Sequence, residues 1–232
     1  MKICWLLLFY IITYVNCQAQ QSSQALTATI IGSGSPIFST ERAGPSVLIT
    51  YNNTYILVDM GNGTQANLNK LGIKARKLDG LLITHHHLDH NEEFIPIFIN
   101  SLISNKNFIV AGPQPTSKYT ESILDIYKED ISYRLERKNK KLEDIYNNYE
   151  VKELISNSTF KINEISISCT QVNHSIETLA YRFDAGGKSI VISGDLTYSE
   201  SLPLLAKNAD YLIIDSGTPK SRHSNKSKKK SP

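Results

Sequence analysis

The sequence predicts a layered α/β sandwich, and three observations lead there. The chain has 232 residues, 41% of them apolar and 20% charged, which suits one sizeable folded domain and falls short of two. β-prone segments come first, a helical stretch follows and β-prone segments return, an order that favours packed layers of sheet and helix over a doubly wound sheet. The early pair Gly32-Ser33-Gly34 lacks the third glycine and the following helical pattern of a dinucleotide fingerprint.

Taken in order, the chain begins with an export signal. Lys2 is followed by the apolar run Ile3 to Ile12, polar residues resume at Asn16, and Cys17-Gln18-Ala19 offers a small-residue cleavage site. The apolar run is too short for the roughly 20 residues that span a bilayer, so no stable membrane span is expected. This reading assigns residues 1–19 to the signal, 20–25 to a linker, 26–218 to the folded domain and 219–232 to a basic disordered tail. It makes the protein secreted or periplasmic.

Leu26–Ile31 is β-prone and ends in the turn Gly32–Pro36. Val47–Tyr51 and Thr54–Val58 flank Asn52-Asn53 and read as a hairpin, followed by Asp59-Met60-Gly61-Asn62-Gly63. Thr64 suits the N-cap of a short helix through Leu71. Leu81–Thr84 is a short buried strand, Glu92–Ile103 is helical and Phe108–Ala111 is a strand. Lys118 to about Tyr149 predicts a long helical stretch rich in charges and tyrosines, a candidate surface for a partner or a homodimer. Strands are expected at 151–155, 160–162, 165–171, 179–183 and 189–193, a short helix at 199–206 and a last strand at 211–214.

Charge narrows the partners. The formal net charge is +3, but Lys220, Arg222, Lys226, Lys228, Lys229 and Lys230 crowd the last thirteen residues, and the chain without those six carries −3. The body therefore offers no electrostatic footprint for nucleic acid. Of the three cysteines, Cys4 and Cys17 fall in the signal, leaving Cys169 in the alternating run Ile165-Ser166-Ile167-Ser168-Cys169 as a strand residue without a disulfide partner.

Chemistry is concentrated in Thr84-His85-His86-His87-Leu88-Asp89-His90. Four of the chain's six histidines fall there, immediately after the apolar Leu81-Leu82-Ile83. A loop leaving a rigid strand can aim alternate side chains at one point, and imidazoles with a carboxylate suit zinc or a similar divalent ion. Two further residues sit where strands should end: His174 in Val172-Asn173-His174-Ser175, and Asp195 in Ser193-Gly194-Asp195-Leu196. Gly194 would let the backbone approach a crowded centre.

On these residues the sequence resembles the metallo-β-lactamase superfamily, and within it the ribonuclease Z and arylsulfatase-like branch. The resemblance runs from about Leu26 to Ser216 and includes Gly32-Ser33-Gly34, Asp59 to Thr64, the His-x-His-x-Asp-His signature, His174 with Tyr181-Arg182-Phe183, Ser193-Gly194-Asp195, and Ala209 to Ile214. It implies a four-layer αββα sandwich holding two zinc ions, with manganese or iron as alternatives. By position, His85, His87 and His174 would hold the first ion, and Asp89 and His90 the second. Asp195 would bridge both, Asp89 would also steer the attacking hydroxide, Asp59 would orient a ligand histidine from behind, and His86 would point away. The implied reaction is hydrolysis of a small anionic ester, a phosphodiester or a sulfate ester, by a metal-bridging hydroxide. The alternatives are a ribonuclease Z-type RNA 3′-end endonuclease, a lactamase, a thiolesterase, and a non-catalytic or decayed metal-binding homologue.

Three departures from the family qualify this. The family has one more histidine for the second metal, followed by a helix and strand; here only His223 lies in that region, a candidate extra ligand, and the C-terminal part reads as truncated. Asp215-Ser216-Gly217-Thr218 stands where ribonuclease Z enzymes have His-Glu-Ala-Thr, and no basic tRNA-gripping arm is visible. Asn91-Glu92-Glu93-Phe94 replaces the usual glycine-leucine after the motif, a change expected to alter the pocket wall.

Overall fold

The computed structural model describes residues 25–104 and 107–216. The expectations for the export signal, the basic tail and His223 lie outside the described residues.

Two sheets stack face to face between helical layers. The first has strands β1 (Thr27–Gly32), β2 (Ser46–Tyr51), β3 (Thr54–Val58), β4 (Gly80–Leu82), β5 (Phe108–Gly112) and β6 (Tyr149–Glu153), in that order. The second runs β11-β10-β9-β8-β7, from β7 (Thr159–Ile162), β8 (Ile165–Val172), β9 (Thr178–Ala185), β10 (Lys188–Ile192) and β11 (Tyr211–Ile213). Period-two alternation sorts the first sheet's side chains. Leu48, Leu57, Leu81 and Val110 face the helices α1 (Thr64–Lys70), α3 (Phe94–Ile103), α4 (Thr116–Ile126) and α5 (Lys128–Glu136). Ile49, Ile56, Val58, Leu82 and Ala111 face the second sheet and meet Ile165, Ile167, Leu179, Tyr181 and Phe183. On the outer side of the second sheet, Val172, Ala180 and Val191 pack beneath Leu202 of α6 (Ser201–Leu205). The αββα sandwich is therefore present.

The two sheets are also tied by polar bonds where the histidine segment begins. The fully buried Tyr181 donates its hydroxyl to Ile83 O at 2.7 Å, and Leu179 N–H donates to Thr84 O at 2.9 Å. Residues leaving β3, β4, β8 and β10 thereby come together at one edge of the sandwich. Cys169 faces the buried space between the sheets, as a plain strand residue would.

The helical expectation between Lys118 and Tyr149 needs correction. It is two helices, α4 and α5, that break at Tyr127, followed by a single 3₁₀ turn (Leu142–Asp144); Tyr149 already belongs to β6. In α5 the buried residues are Ile131 and Leu135, a short apolar stripe, and Asn139 then takes a left-handed conformation (φ 54) that ends the helical run. Thr64 is the first helical residue rather than the cap, which is Gly63; the Thr64 hydroxyl turns back to Gly61 O at 2.7 Å. Among the described residues, no helix is long and apolar enough to cross a membrane.

Candidate metal centre

Most of the site residues sit where a strand has just ended. Asp59 follows β3, His85 and His87 follow β4, His174 follows β8 and Asp195 follows β10. Asp89 and His90 lie on the single helical turn α2 (Leu88–Asn91). Gly194 adopts a positive φ of 63°, and a Cβ there would stand 3.0 Å from Thr84 Cβ. Glycine is thus required for Asp195 to reach the histidines.

Two triads result. Donor atoms of His85, His87 and His174 lie within 4.8 Å of one another, as do those of His85, His90 and Asp195. His87 Nδ1 is 3.0 Å from His85 Nε2 and 3.2 Å from His174 Nε2. Asp195 places Oδ1 3.3 Å from His90 Nε2 and Oδ2 4.0 Å from His174 Nε2, one oxygen toward each triad. Asp89 Oδ2 is 3.8 Å from His90 Nε2. His86 points elsewhere, its Nε2 3.0 Å from Thr116 Oγ1 and its ring edge-on to Tyr119.

Behind the triads, hydrogen bonds decide which nitrogens are free. Asp59 accepts the Thr84 N–H at Oδ1 (2.8 Å) and both the Thr84 hydroxyl (2.7 Å) and His90 Nδ1–H (2.8 Å) at Oδ2. Since the Thr84 hydroxyl proton is given to Asp59, Thr84 Oγ1 can only accept from His85 Nδ1, 2.9 Å away. The proton of neutral His85 is therefore on Nδ1, and its Nε2 lone pair faces the site. His90 likewise turns Nε2 inward, and that buried nitrogen has no hydrogen-bond partner among the described residues; Asp195 is at ion-pair distance without hydrogen-bond geometry.

Electrostatics follow from the same contacts. Burial and the neighbouring His90 push His85 down to about 3, against the pull of Asp59 and Asp195. Burial also presses on His90, but the carboxylates of Asp59 and Asp195 outweigh it and raise His90 to about 10. Burial would raise Asp195, yet its proximity to His90 holds it below the usual carboxylate range. The site therefore draws positive charge into a nearly closed corner.

These residues fit a pair of divalent cations. Facing nitrogen lone pairs at 3.0 and 3.2 Å repel unless a proton or cation lies between them. Two nitrogens bound to one tetrahedral zinc stand about 3.3 Å apart, given Zn–N bonds of roughly 2.0–2.1 Å. The orphaned His90 Nε2 beside Asp195 offers a second such corner.

The His90–Asp195 corner opens into a cleft of about 770 Å³ whose wall includes Ser33, Phe38, Arg42, Asp89, Asp195 and Asp215. Asn91, Glu92, Glu93 and Phe94 are absent from that wall, which corrects the expectation that they reshape it; their side chains are committed elsewhere. Two residues were missed as site residues in the sequence. Thr84 fixes the His85 tautomer, and Arg42 brings a cation to the cleft from the loop closed by Gly34 N–H to Ala43 O (2.7 Å). Thr84's place beside the histidines could have drawn attention; nothing local distinguishes Arg42.

Residues 26–228 match a family model described as anti-Pycsar protein Apyc1. A ribonuclease Z of Mycobacterium bovis is 30% identical over 197 residues, spanning 81% of this chain and 69% of that protein. The solved structure of YhfI from Bacillus subtilis, a metallo-beta-lactamase fold protein, superposes with a TM-score of 0.62 at 19% identity, covering 81% of this chain and 69% of that one. The human tRNase Z short form superposes at 0.61 with 20% identity, covering 80% and 75%. At such identities the two structures establish likeness of fold.

Proposed function

The chain belongs to the family of anti-Pycsar protein Apyc1, as a ribonuclease Z-like member of the metallo-β-lactamase superfamily, and on that premise we propose that it is a metal-dependent phosphodiesterase acting on a small anionic substrate. One observation carries the reading: two ligand triads share His85, with Asp195 turned toward both. His85, His87 and His174 would hold one zinc ion; His90, Asp195 and Asp89 would hold the other. Bound there, the ions would polarise a phosphoryl oxygen and lower the pKa of water toward ~7.

The chain's own residues set up the rest. Thr84 and Asp59 hold the Nδ1 protons of His85 and His90, so that Nε2 of each is the nitrogen aimed inward for a metal ion. Asp89, at the rim of the second triad, orients the attacking water and takes up its proton. Arg42 supplies positive charge for the substrate's remaining anionic oxygens. A phosphodiester is favoured over a sulfate ester because the 30%-identical relative is named a ribonuclease. A small substrate is favoured over long RNA because Asp89, Asp195 and Asp215 crowd the cleft wall and the chain without its tail is acidic. The same reading has the protein exported, on the strength of Lys2 and the apolar run behind it.

The test is release of nitrophenol from bis-nitrophenyl phosphate and from nitrophenyl sulfate by the zinc-loaded protein, with His87→Ala as control. Turnover of the phosphate alone, lost in the variant, is expected. Turnover of the sulfate alone would replace the substrate class, and equal rates from wild type and variant would remove the site.

A further inference from the structure

The side chains of Asn91, Glu92 and Glu93 bind backbone rather than line the cleft. Asn91 Nδ2 donates to His85 O at 3.0 Å and to His87 O at 3.2 Å, using both its hydrogens on the segment that carries four proposed ligands. Glu93 accepts the N–H groups of Gly63 (2.8 Å) and Gln65 (2.6 Å), and Glu92 accepts that of Asn62 (3.0 Å). Those of Asn62 and Gly63 belong to the loop after β3 that presents Asp59, and that of Gln65 to the first turn of α1, which the loop leads into. Backbone bonds complete the seam: Met60 N–H to His90 O at 2.7 Å and Glu93 N–H to Met60 O at 2.8 Å.

The two segments touch closely. A Cβ on Gly61 would stand 2.5 Å from Asp89 O and 2.6 Å from Gly44 C, a distance at which backbone must move. Asn91 is buried, and its Oδ1 has no hydrogen-bond partner among the described residues. An apolar residue would fill that place without leaving a buried acceptor unpaired. The amide is therefore retained for what its nitrogen holds.

We infer that Asn91, Glu92 and Glu93 are positioning residues, a clamp that locks the Asp59 loop to the histidine segment and so fixes Asp59 against His90 for uptake of the second metal ion. The inference rests on the metal-centre reading above. With the clamp open, Asp59 and His90 would no longer be held at their 2.8 Å separation, and the second corner would lose its preset geometry.

The test is cobalt(II) titration of the ion-free protein, reading the visible ligand-field bands and the affinity of each uptake step beside the melting temperature before loading. The variants are Glu93→Gln and Asn91→Leu, with Glu93→Asp keeping the charge on a shorter arm. Asp210→Asn is the control, since it removes bonds to Lys188 and Ser189 at the end of β10 away from Asp195. The second step should weaken ~10–100-fold in Glu93→Gln and Asn91→Leu, the usual scale for groups behind a ligand, with altered bands and partial recovery in Glu93→Asp. Asp210→Asn should lower the melting temperature and leave both steps alone. Wild-type affinities and bands in both clamp variants would overturn the clamp by itself. Failure of the wild type to take up cobalt would overturn the metal-centre reading and the clamp with it.

Discussion

The Asp59 carboxylate holds His90 Nδ1–H at 2.8 Å, and it does so from a left-handed backbone conformation (φ 57) just past the end of β3. Asp tolerates that conformation better than most residues, and its persistence at a buried site marks a geometry the surroundings enforce. Asp59→Asn keeps the shape but removes the charge and one acceptor. The second metal ion should then bind ~10–100-fold more weakly, read by competition with a chromophoric chelator. Unchanged affinity would show that Asp59 does not orient His90.

Thr84→Val replaces a hydroxyl with a methyl of similar size. His85 Nδ1–H then loses its acceptor in a buried position, and the proton is free to move to Nε2, where it blocks ligation. Stability to urea should fall by about 1–3 kcal/mol, together with affinity at the first site. Thr84→Ser restores the hydroxyl and should restore both. Equal behaviour of the Val and Ser variants would dismiss the tautomer argument.

His90 sits at about 10 without a bound ion, so it carries a proton at pH 7.5 that a metal ion must displace. Loading the second site should release close to one proton, measured calorimetrically in buffers of different ionisation enthalpy. The linkage also gives a sign for the ion-free protein. A histidine raised above its ordinary 6.5 contributes stability that is complete below pH 6.5 and lost as pH rises toward about 10. His90→Ala should flatten the alkaline fall of the urea midpoint seen in the wild type. A wild-type midpoint that rises over this range would contradict the assignment.

Gly61 and Gly72 separate steric from conformational cost. Gly61→Ala drives a Cβ into Asp89 O and Gly44, whereas a Cβ on Gly72 meets nothing within 4 Å but must adopt φ 71. The first change should cost about 1–3 kcal/mol as overpacking and also impair metal uptake. The second should cost about 1–2 kcal/mol as left-handed strain with uptake intact. Denaturant midpoints and metal titrations of the two variants decide the matter.

Cys169 is pushed up to about 11 by burial, its contacts with Ser158 opposing. Thiolate is the reactive form, so alkylation by iodoacetamide at pH 8 should be far slower in the native protein than in urea. Matching rates would place the thiol at the surface.

Much of the site was legible because metal chemistry concentrates unusual residue types. His85, His87, Asp89 and His90 announced themselves by spacing, and His174 and Asp195 by following apolar strands; the fold brings all six together. Less legible were residues whose type is ordinary and whose partners are remote. Asn91, Glu92 and Glu93 suggested a cleft wall, yet they turn to the backbone of His85, His87, Asn62, Gly63 and Gln65. The break at Tyr127 was hidden because a charged, tyrosine-rich run keeps its helical propensity whether or not a buried stripe sustains it.

Period and residue type, which are local properties, determined the strands, the sandwich class and the identity of the clustered histidines and carboxylates in the sequence itself. Only the tertiary structure decided which nitrogen of His85 and of His90 faces the site, which carboxylate faces which triad, and what Thr84 and Glu93 hold. Those depend on the directions of hydrogen bonds between segments that meet only after the two sheets have packed, and direction is a property that no order of residues contains.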